Sequence, residues 1–420
     1  MGASERPYKP TFPMTLTSPR TSALFRRILR HPVPRLLLLL LCIFDSLKVL
    51  NVYSRQIAAT QEAANPPKNT KRIYIASQHW NSAPLLRDRW NNALLELVRE
   101  LGFNNVFVAI YESGSFDDTK TALKELDVNL QELGVQRNIT LSDVTHKDEM
   151  LKQPSDHGWI HTPNNTVELR RIPFLANVRN RLFEPLQHLV SHGETFDTIL
   201  FLNDVVFTPT DVLNLLDTNG GQYAAACSQD FSKPPQYYDT FALRDSNGEE
   251  TVMSTWPYFR STRSRQAMEQ FLPVPVSSCW NGMVAMPAEP FLSQYSLRFR
   301  GISDTLAASH LEASECCLIH ADNPMSTTHG VFMNPMVRVG YNAKAYDSCH
   351  SEYAIISPLG IYTAIWKNRI LRWVSTPFFK SWTVHKRVKA WERATSSIEN
   401  GEFCLINEMQ VIYEGGWKHV

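Results

Sequence analysis

Asp204 closes the run Thr198-Ile-Leu-Phe-Leu-Asn-Asp204, an acid set where an apolar strand ends. A carboxylate in that position can hold a divalent cation. The cation binds both phosphates of a nucleotide-sugar donor and stabilises the charge of the departing diphosphate. Sites of this kind often use two aspartates spaced by one residue, and here the first position is Asn203. An amide coordinates through its carbonyl oxygen but brings no charge. The bland alternative is a strand-end Asp that caps the turn which Pro209-Thr210-Asp211 begins. From Leu202–Val205 alone the two readings stand level.

Other side chains offer chemistry at less diagnostic spacing. Cys279-Trp280-Asn281-Gly282 reads as the wall of a sugar pocket, since an indole covers the C–H face of a sugar and an amide reads a hydroxyl. A Trp in a chain with ten of them is more often core. Arg179 can pair with a diphosphate or a base through its planar fork, or simply with Glu184 or another acid. Ser77 and Glu112 follow two apolar strands, where a donor would lie. Glu112 could instead cap the helix beginning near Asp117. Glu315, His320 and Asp322 stand within eight residues, and beside Asn323-Pro324 the last two also read as a turn. Asp230, after Ala224-Ala-Ala-Cys227, and Glu315 are the candidate catalytic acids. A retaining transferase can work without a protein nucleophile, so spacing does not choose between them.

The elements that must position these groups alternate. Apolar runs at Ile73–Ala76, Val106–Tyr111 and Thr198–Leu202 read as buried strands. Helical periodicity fills Leu85–Leu101, Asp117–Leu133 and Pro173–Val190, and Gly102 and Gly134 close the first two. A further strand is expected near Asn138–Leu141, and a polar, mobile loop over 145–171. The pattern predicts an α/β domain with a mostly parallel, doubly wound sheet that binds its ligand beyond the carboxyl ends of the strands. No GxGxxG, GxxxxGK[ST] or GxSxG occurs, which argues against a dinucleotide dehydrogenase, a P-loop ATPase and an α/β-hydrolase.

Four segments in order, Asn177-Val-Arg-Asn-Arg181 with Glu184-Pro-Leu186, Phe201-Leu-Asn-Asp-Val205, Cys279-Trp-Asn-Gly-Met283 and Ser314-Glu-Cys-Cys-Leu318, resemble the fungal capsule-associated α-1,3-mannosyltransferase family. The resemblance covers roughly residues 70–350. It implies a GT-A-like fold, GDP-mannose as donor, a divalent metal such as manganese, a glycan acceptor and retention of configuration. On that reading Asp204 is the metal ligand, with Asn203 on the donor ribose or the ion. His320 completes the metal shell, or Asp322 in its place, and Arg179 takes the donor. Trp280 and Asn281 face the acceptor.

The net charge of +1 hides an asymmetry. Residues 1–35 hold seven bases and one acid, a net of +6; the rest, with 35 bases and 40 acids, carries −5. The body lacks the basic excess of a nucleic-acid binder. After the leader, Leu36–Phe44 is apolar throughout, and the run extends through Val52 past Asp45 and Lys48. With no small-x-small site directly after it, an uncleaved signal-anchor with a cytosolic tail is favoured over a cleaved signal. The expected division is a basic tail 1–35, an anchor 36–52, a stem 53–71, a catalytic domain 72–350 and a C-terminal helical arm 351–420. Sequons at Asn138 and Asn164 and six cysteines beyond Cys42 agree with a lumenal, Golgi location. The arm interleaves four tryptophans with bases, which reads as packing against the domain or as a lumenal membrane contact. The competing functions are a transferase using another nucleotide sugar and a non-catalytic export or scaffold protein, which Asn203 keeps open. A complex with other glycosyltransferases fits either.

Overall fold

Apolar runs bounded by turns become strands buried on both faces where helices cover each side of the sheet. The structure, a computed structural model, describes residues 32–155, 157–162, 165–293, 296–351 and 355–420. The basic residues before Pro32 and the sequon residue Asn164 lie outside them. The chain divides into two units, residues 1–51 and 52–420. The described part of the first unit is helical and belongs to α1 (Pro32–Ala63), which is long and apolar enough to cross a membrane. The last turns of α1 belong to the second unit. There Gln56 exchanges hydrogen bonds with the backbone of Ile356 (3.3 and 3.2 Å), and Asn214 donates to the Ala63 carbonyl (2.8 Å). The segment read as a stem is therefore helical as far as Ala63.

In the second unit β1 (Ile73–His79) leads through one π-helical turn, Leu86–Trp90, into α2 (Asn91–Leu101). Gly102 at φ +87° ends that helix, a conformation L side chains resist. Next come β2 (Val106–Glu112), α3 (Thr119–Glu132), β3 (Gln136–Leu141) and α4 (His146–Leu151). The hairpin β4 (Trp159–His161) and β5 (Val167–Leu169) precedes α5 (Arg171–Arg181), α6 (Phe183–Ser191), β6 (Thr198–Leu202) and α7 (Pro209–Leu216). Then follow β7 (Ala225–Lys233), β8 (Gln236–Tyr237), β9 (Arg244–Asp245), β10 (Val274–Ser278) and β11 (Met283–Pro287). Later elements are β12 (Glu312–Ala313), α8 (Glu315–Asp322), β13 (Val331–Gly340), α9 (Pro358–Val374) and α10 (Phe378–Thr395). The chain ends with β14 (Leu405–Ile406), β15 (Gln410–Tyr413) and β16 (Gly416–His419).

The main sheet has the order β3-β2-β1-β6-β11-β7-β13-β10-β9, with β8 on β7. Parallel pairing joins β3, β2, β1 and β6, and again β7 and β13. β11 lies antiparallel between β6 and β7, so those two run the same way. The carboxyl ends of β1, β2, β6, β7 and β13 thus share one edge, together with the start of β11. The α/β, doubly wound expectation is met, and the longest registers are parallel.

The polar stretch 145–171 is structured: Thr145 caps α4 with a capping box, and β4 pairs with β5. The single helix expected over Pro173–Val190 is two helices that meet at Leu182. Beyond residue 350 the chain is more than a helical pair, because β14 pairs with β12 and Val411 bridges Arg170. Disulfides Cys227–Cys279 and Cys317–Cys404 span 52 and 87 residues, leaving Cys42, Cys316 and Cys349 free.

Candidate active site

Where β6 runs out, the backbone is pinned on three sides. Asn203 donates its N–H to Gly282 (2.9 Å), its carbonyl accepts from the Trp90 indole (3.1 Å), and Val206 bridges Gly340. Gly282 sits at φ +85°, and a Cβ there would meet the Val339 side chain at 2.4 Å. Its smallness serves the junction of β6, β11 and β13. On that fixed turn Asp204 is half-buried, and burial pushes its carboxyl up to about 6 against the pull of Arg179.

Arg179, on the last turn of α5, donates its Nε to Glu315 at the start of α8 (3.0 Å) and lies over Trp280 and Phe299. Glu184 pairs instead with Arg181 (2.7 Å). Asp230 is fully buried in the carboxyl half of β7. It accepts from the Tyr341 hydroxyl (3.0 Å) and from the Asp239 N–H (3.2 Å). Burial, then the Asp239 charge, lift the Asp230 carboxyl well above the usual range. Burial lifts Asp239 as well, and Arg171 draws it back. Four acids, Asp204, Asp230, Asp239 and Glu315, thus meet two guanidinium groups, Arg171 and Arg179.

Several expected site residues are occupied elsewhere. Ser77 is buried, donating to the Leu202 carbonyl (2.7 Å) and bonded to His79 Nε2 (2.9 Å), so it stitches β1 to β6. Asn281 is also buried. Its amide donates to the Asp239 carbonyl (2.6 Å) and its Oδ1 accepts from the Trp280 N–H (3.2 Å), closing a loop instead of reading a hydroxyl. Trp280 is buried, its ring packed among Phe201, Phe299 and Arg179. His320 Nε2 bonds the Cys279 carbonyl (2.7 Å), and burial lowers its pKa to about 4. It lies within 4.8 Å of Cys227 and Cys279, but their disulfide removes the thiolates a metal would need. Asp322 is held bidentately by Arg300 (2.6 and 3.0 Å), which Glu399 also grips. Glu112 accepts from the Ser115 N–H ahead of α3; its other oxygen is buried without a hydrogen bond, and Lys120 stands 4.0 Å away. The exposed Asn138, on the edge strand β3, accepts from the Thr140 hydroxyl (3.0 Å).

Asp204, Asp230, Arg179 and Glu315 therefore share one electrostatic neighbourhood, while Ser77, Asn281, His320 and Asp322 carry structure. Sequence reasoning missed Asp239, Arg171 and Tyr341. Tyr341 directly follows the carboxyl end of β13, so the strand-end rule that marked Asp204 extends to it. Arg171 opens α5 at the end of the supposed loop, and Asp239 follows the short strand β8.

A divalent cation fits this donor set in one respect: Asp204 belongs to a buried excess of acid over base. Among the described residues no three acids or histidines around it form a ready cage. An ion on Asp204 would therefore take its other ligands from the adjacent Asn203 amide, from water or from a bound ligand.

The family model described as Cryptococcal mannosyltransferase 1 matches residues 72–322. Alpha-1,3-mannosyltransferase CMT1 of Cryptococcus neoformans var. neoformans serotype D is 26% identical over 266 residues, 60% of this chain and 53% of that protein. The chain thus matches about half the length of that relative. Two solved structures are more distant. Mannosyltransferase PcManGT from Pyrobaculum calidifontis, in complex with GDP-Man and Mn2+, aligns over 85% of this chain and 89% of its own at TM-score 0.38 and 11% identity. S. aureus TarS 1-349 aligns over 68% and 63% at TM-score 0.35 and 9% identity. Likeness that loose says nothing about ligands.

Proposed function

This chain belongs to the Cryptococcal mannosyltransferase 1 family and is a glycosyltransferase; we propose that it transfers mannose from GDP-mannose to a glycan hydroxyl, with a divalent metal, an α-1,3 linkage and retention of configuration. What carries the reading is the strand-end Asp204 within an excess of buried acid, beside a family match that spans the same strands. Asp204 would hold a divalent ion such as manganese, which when bound would supply charge stabilisation for the leaving diphosphate. Arg179 adds a fixed cation beside it, held in place by Glu315 and the Trp280 face. The Asp230–Asp239 pair takes up a proton more readily than an isolated acid and sits at the same edge, so it can exchange a proton with the acceptor hydroxyl. Glu315 fixes Arg179 and stands as the second candidate for that role.

The helix α1 supports a single-pass anchor of type II, with residues before Pro32 cytosolic and the second unit in the Golgi lumen. Glycosylation at the exposed Asn138 belongs to that topology.

The test is a donor screen on the full chain with and without chelator. GDP-mannose with manganese is expected to give transfer, and Asp204→Ala to lower it by about 100-fold or more. Undiminished activity in Asp204→Ala would remove the metal assignment, and preference for another nucleotide sugar would overturn the donor. A glycosidase-sensitive mobility step lost in Asn138→Gln checks the lumenal placement.

A further inference from the structure

Between Pro358 and Trp391 the chain holds seven bases and no acid, within a body that is otherwise net acidic. α9 buries Ile361, Ile365 and Asn368 along one stripe, and α10 buries Val384 and Val388. The residues flanking their three-residue link, Ser375-Thr376-Pro377, do the opposite. Trp373, Val374 and Phe379 are 68%, 74% and 75% exposed, and Ile370, Phe378 and Trp382 are exposed too. Singly exposed apolar residues are ordinary, but six within thirteen positions form a patch that asks for a partner.

The charges around it select the partner. Arg260 reaches over to the Ser375 carbonyl (3.1 Å), and Arg265, Arg369 and Arg372 gather close to one another beside it. Lys367 and Lys386 add exposed charge, Lys386 lying over Trp382 (5.1 Å). Facing acids answer part of this: Glu250 stands 3.6 Å from Lys380, Glu249 holds Arg260, Glu269 lies near Arg265, and Glu392 holds Lys389 (2.7 Å). Aromatic and aliphatic tips beside cations match the boundary layer of a bilayer, where apolar side chains sit at headgroup depth and cations reach the phosphates. A hydrated anionic glycan would satisfy the cations and leave Ile370 and Val374 in water.

We propose that the α9–α10 elbow inserts its apolar tips into the headgroup interface of a lipid bilayer, its cations reaching the lipid phosphates, and so gives the catalytic unit a second membrane contact besides α1. The contact does not depend on which sugar is transferred.

The experiment places an environment-sensitive fluorophore at Phe379→Cys in a Cys42→Ser background. The full chain is reconstituted in phosphatidylcholine vesicles with and without phosphatidylserine, carrying a nitroxide-labelled lipid. The label is expected to shift to the blue and be quenched by the lipid, more so with phosphatidylserine, while a label at Phe116→Cys stays aqueous. Adding Lys367→Glu or Lys386→Glu should weaken insertion about fivefold each. An aqueous signal at position 379 would overturn the proposal. So would a blue shift without lipid quenching, which marks a protein partner or a second copy. Shielding by a soluble anionic polysaccharide instead of by lipid would do the same, and a label at Trp382→Cys repeats the reading independently.

Discussion

Asp230 and Asp239 illustrate how burial gives two like residues a joint behaviour. Among the described residues neither has a short ion pair; Tyr341 and backbone N–H groups support them, and each charge raises the cost of the other. Asp239→Asn removes that repulsion, so the Asp230 carboxyl moves down toward its ordinary value, burial still holding it above, and becomes a weaker base for the acceptor proton. Transfer is expected to fall by about 100-fold, with the acid limb of its pH profile moved to lower pH. Tyr341→Phe removes one hydrogen bond to a carboxylate and should cost about tenfold. Steady-state rates against pH check both, and an unmoved profile in Asp239→Asn would separate the two acids. The strand-end rule singled out Asp204 and Asp230, which share one electrostatic neighbourhood, because it needs only an apolar run and the acid after it. It also proposed Ser77, and the cluster 315–322 proposed His320 and Asp322. The structure holds these three on Leu202, Cys279 and Arg300, partners that are distant in sequence or reached through backbone atoms that no side-chain pattern encodes.

At the scale of elements, long apolar or amphipathic runs were legible and short pairings were not. β1, β2 and β6 announce themselves as continuous apolar stretches. β4 and β5 have three residues each, too few for a period, so 145–171 reads as loop although it leads into the buried Arg170. That guanidinium holds Glu312 (2.7 and 3.2 Å) and Asp304 (2.6 Å), joining the α5 entry to β12. Arg170→Ala strands a buried Glu312 and should cost about 3–5 kcal/mol in denaturant unfolding. β12 is joined in turn to the chain's last segment by pairing with β14 and by Cys317–Cys404 next to it. Cys404→Ser is expected to lower unfolding stability by about 2–5 kcal/mol. A loss within a few tenths of a kcal/mol would show that the C-terminal strands hold without the bridge.

For the whole second unit, acid stability is a contest between buried histidines and buried aspartates. Burial lowers His79 to about 3 and His320 to about 4, whereas an unfolded His titrates near 6.5. Their contribution is complete above pH ~6.5 and is lost as pH falls through the folded values, because the unfolded chain takes up protons first. Asp204 works the other way. Raised to about 6, it takes its proton in the folded state before the unfolded chain does, so its contribution is present below pH ~4 and lost as pH rises through 6. A flat wild-type profile between pH 6.5 and 4 would therefore conceal two opposite slopes. Variants separate them in chelator, where no metal competes for Asp204. Relative to His320→Asn, the wild type should lose stability on acidification through this window. Relative to Asp204→Asn it should gain. Thermal midpoints of the three proteins at each pH read both differences, and parallel curves for wild type and Asp204→Asn would mean that the strand-end carboxyl is open to water, where an incoming ion would find it already charged.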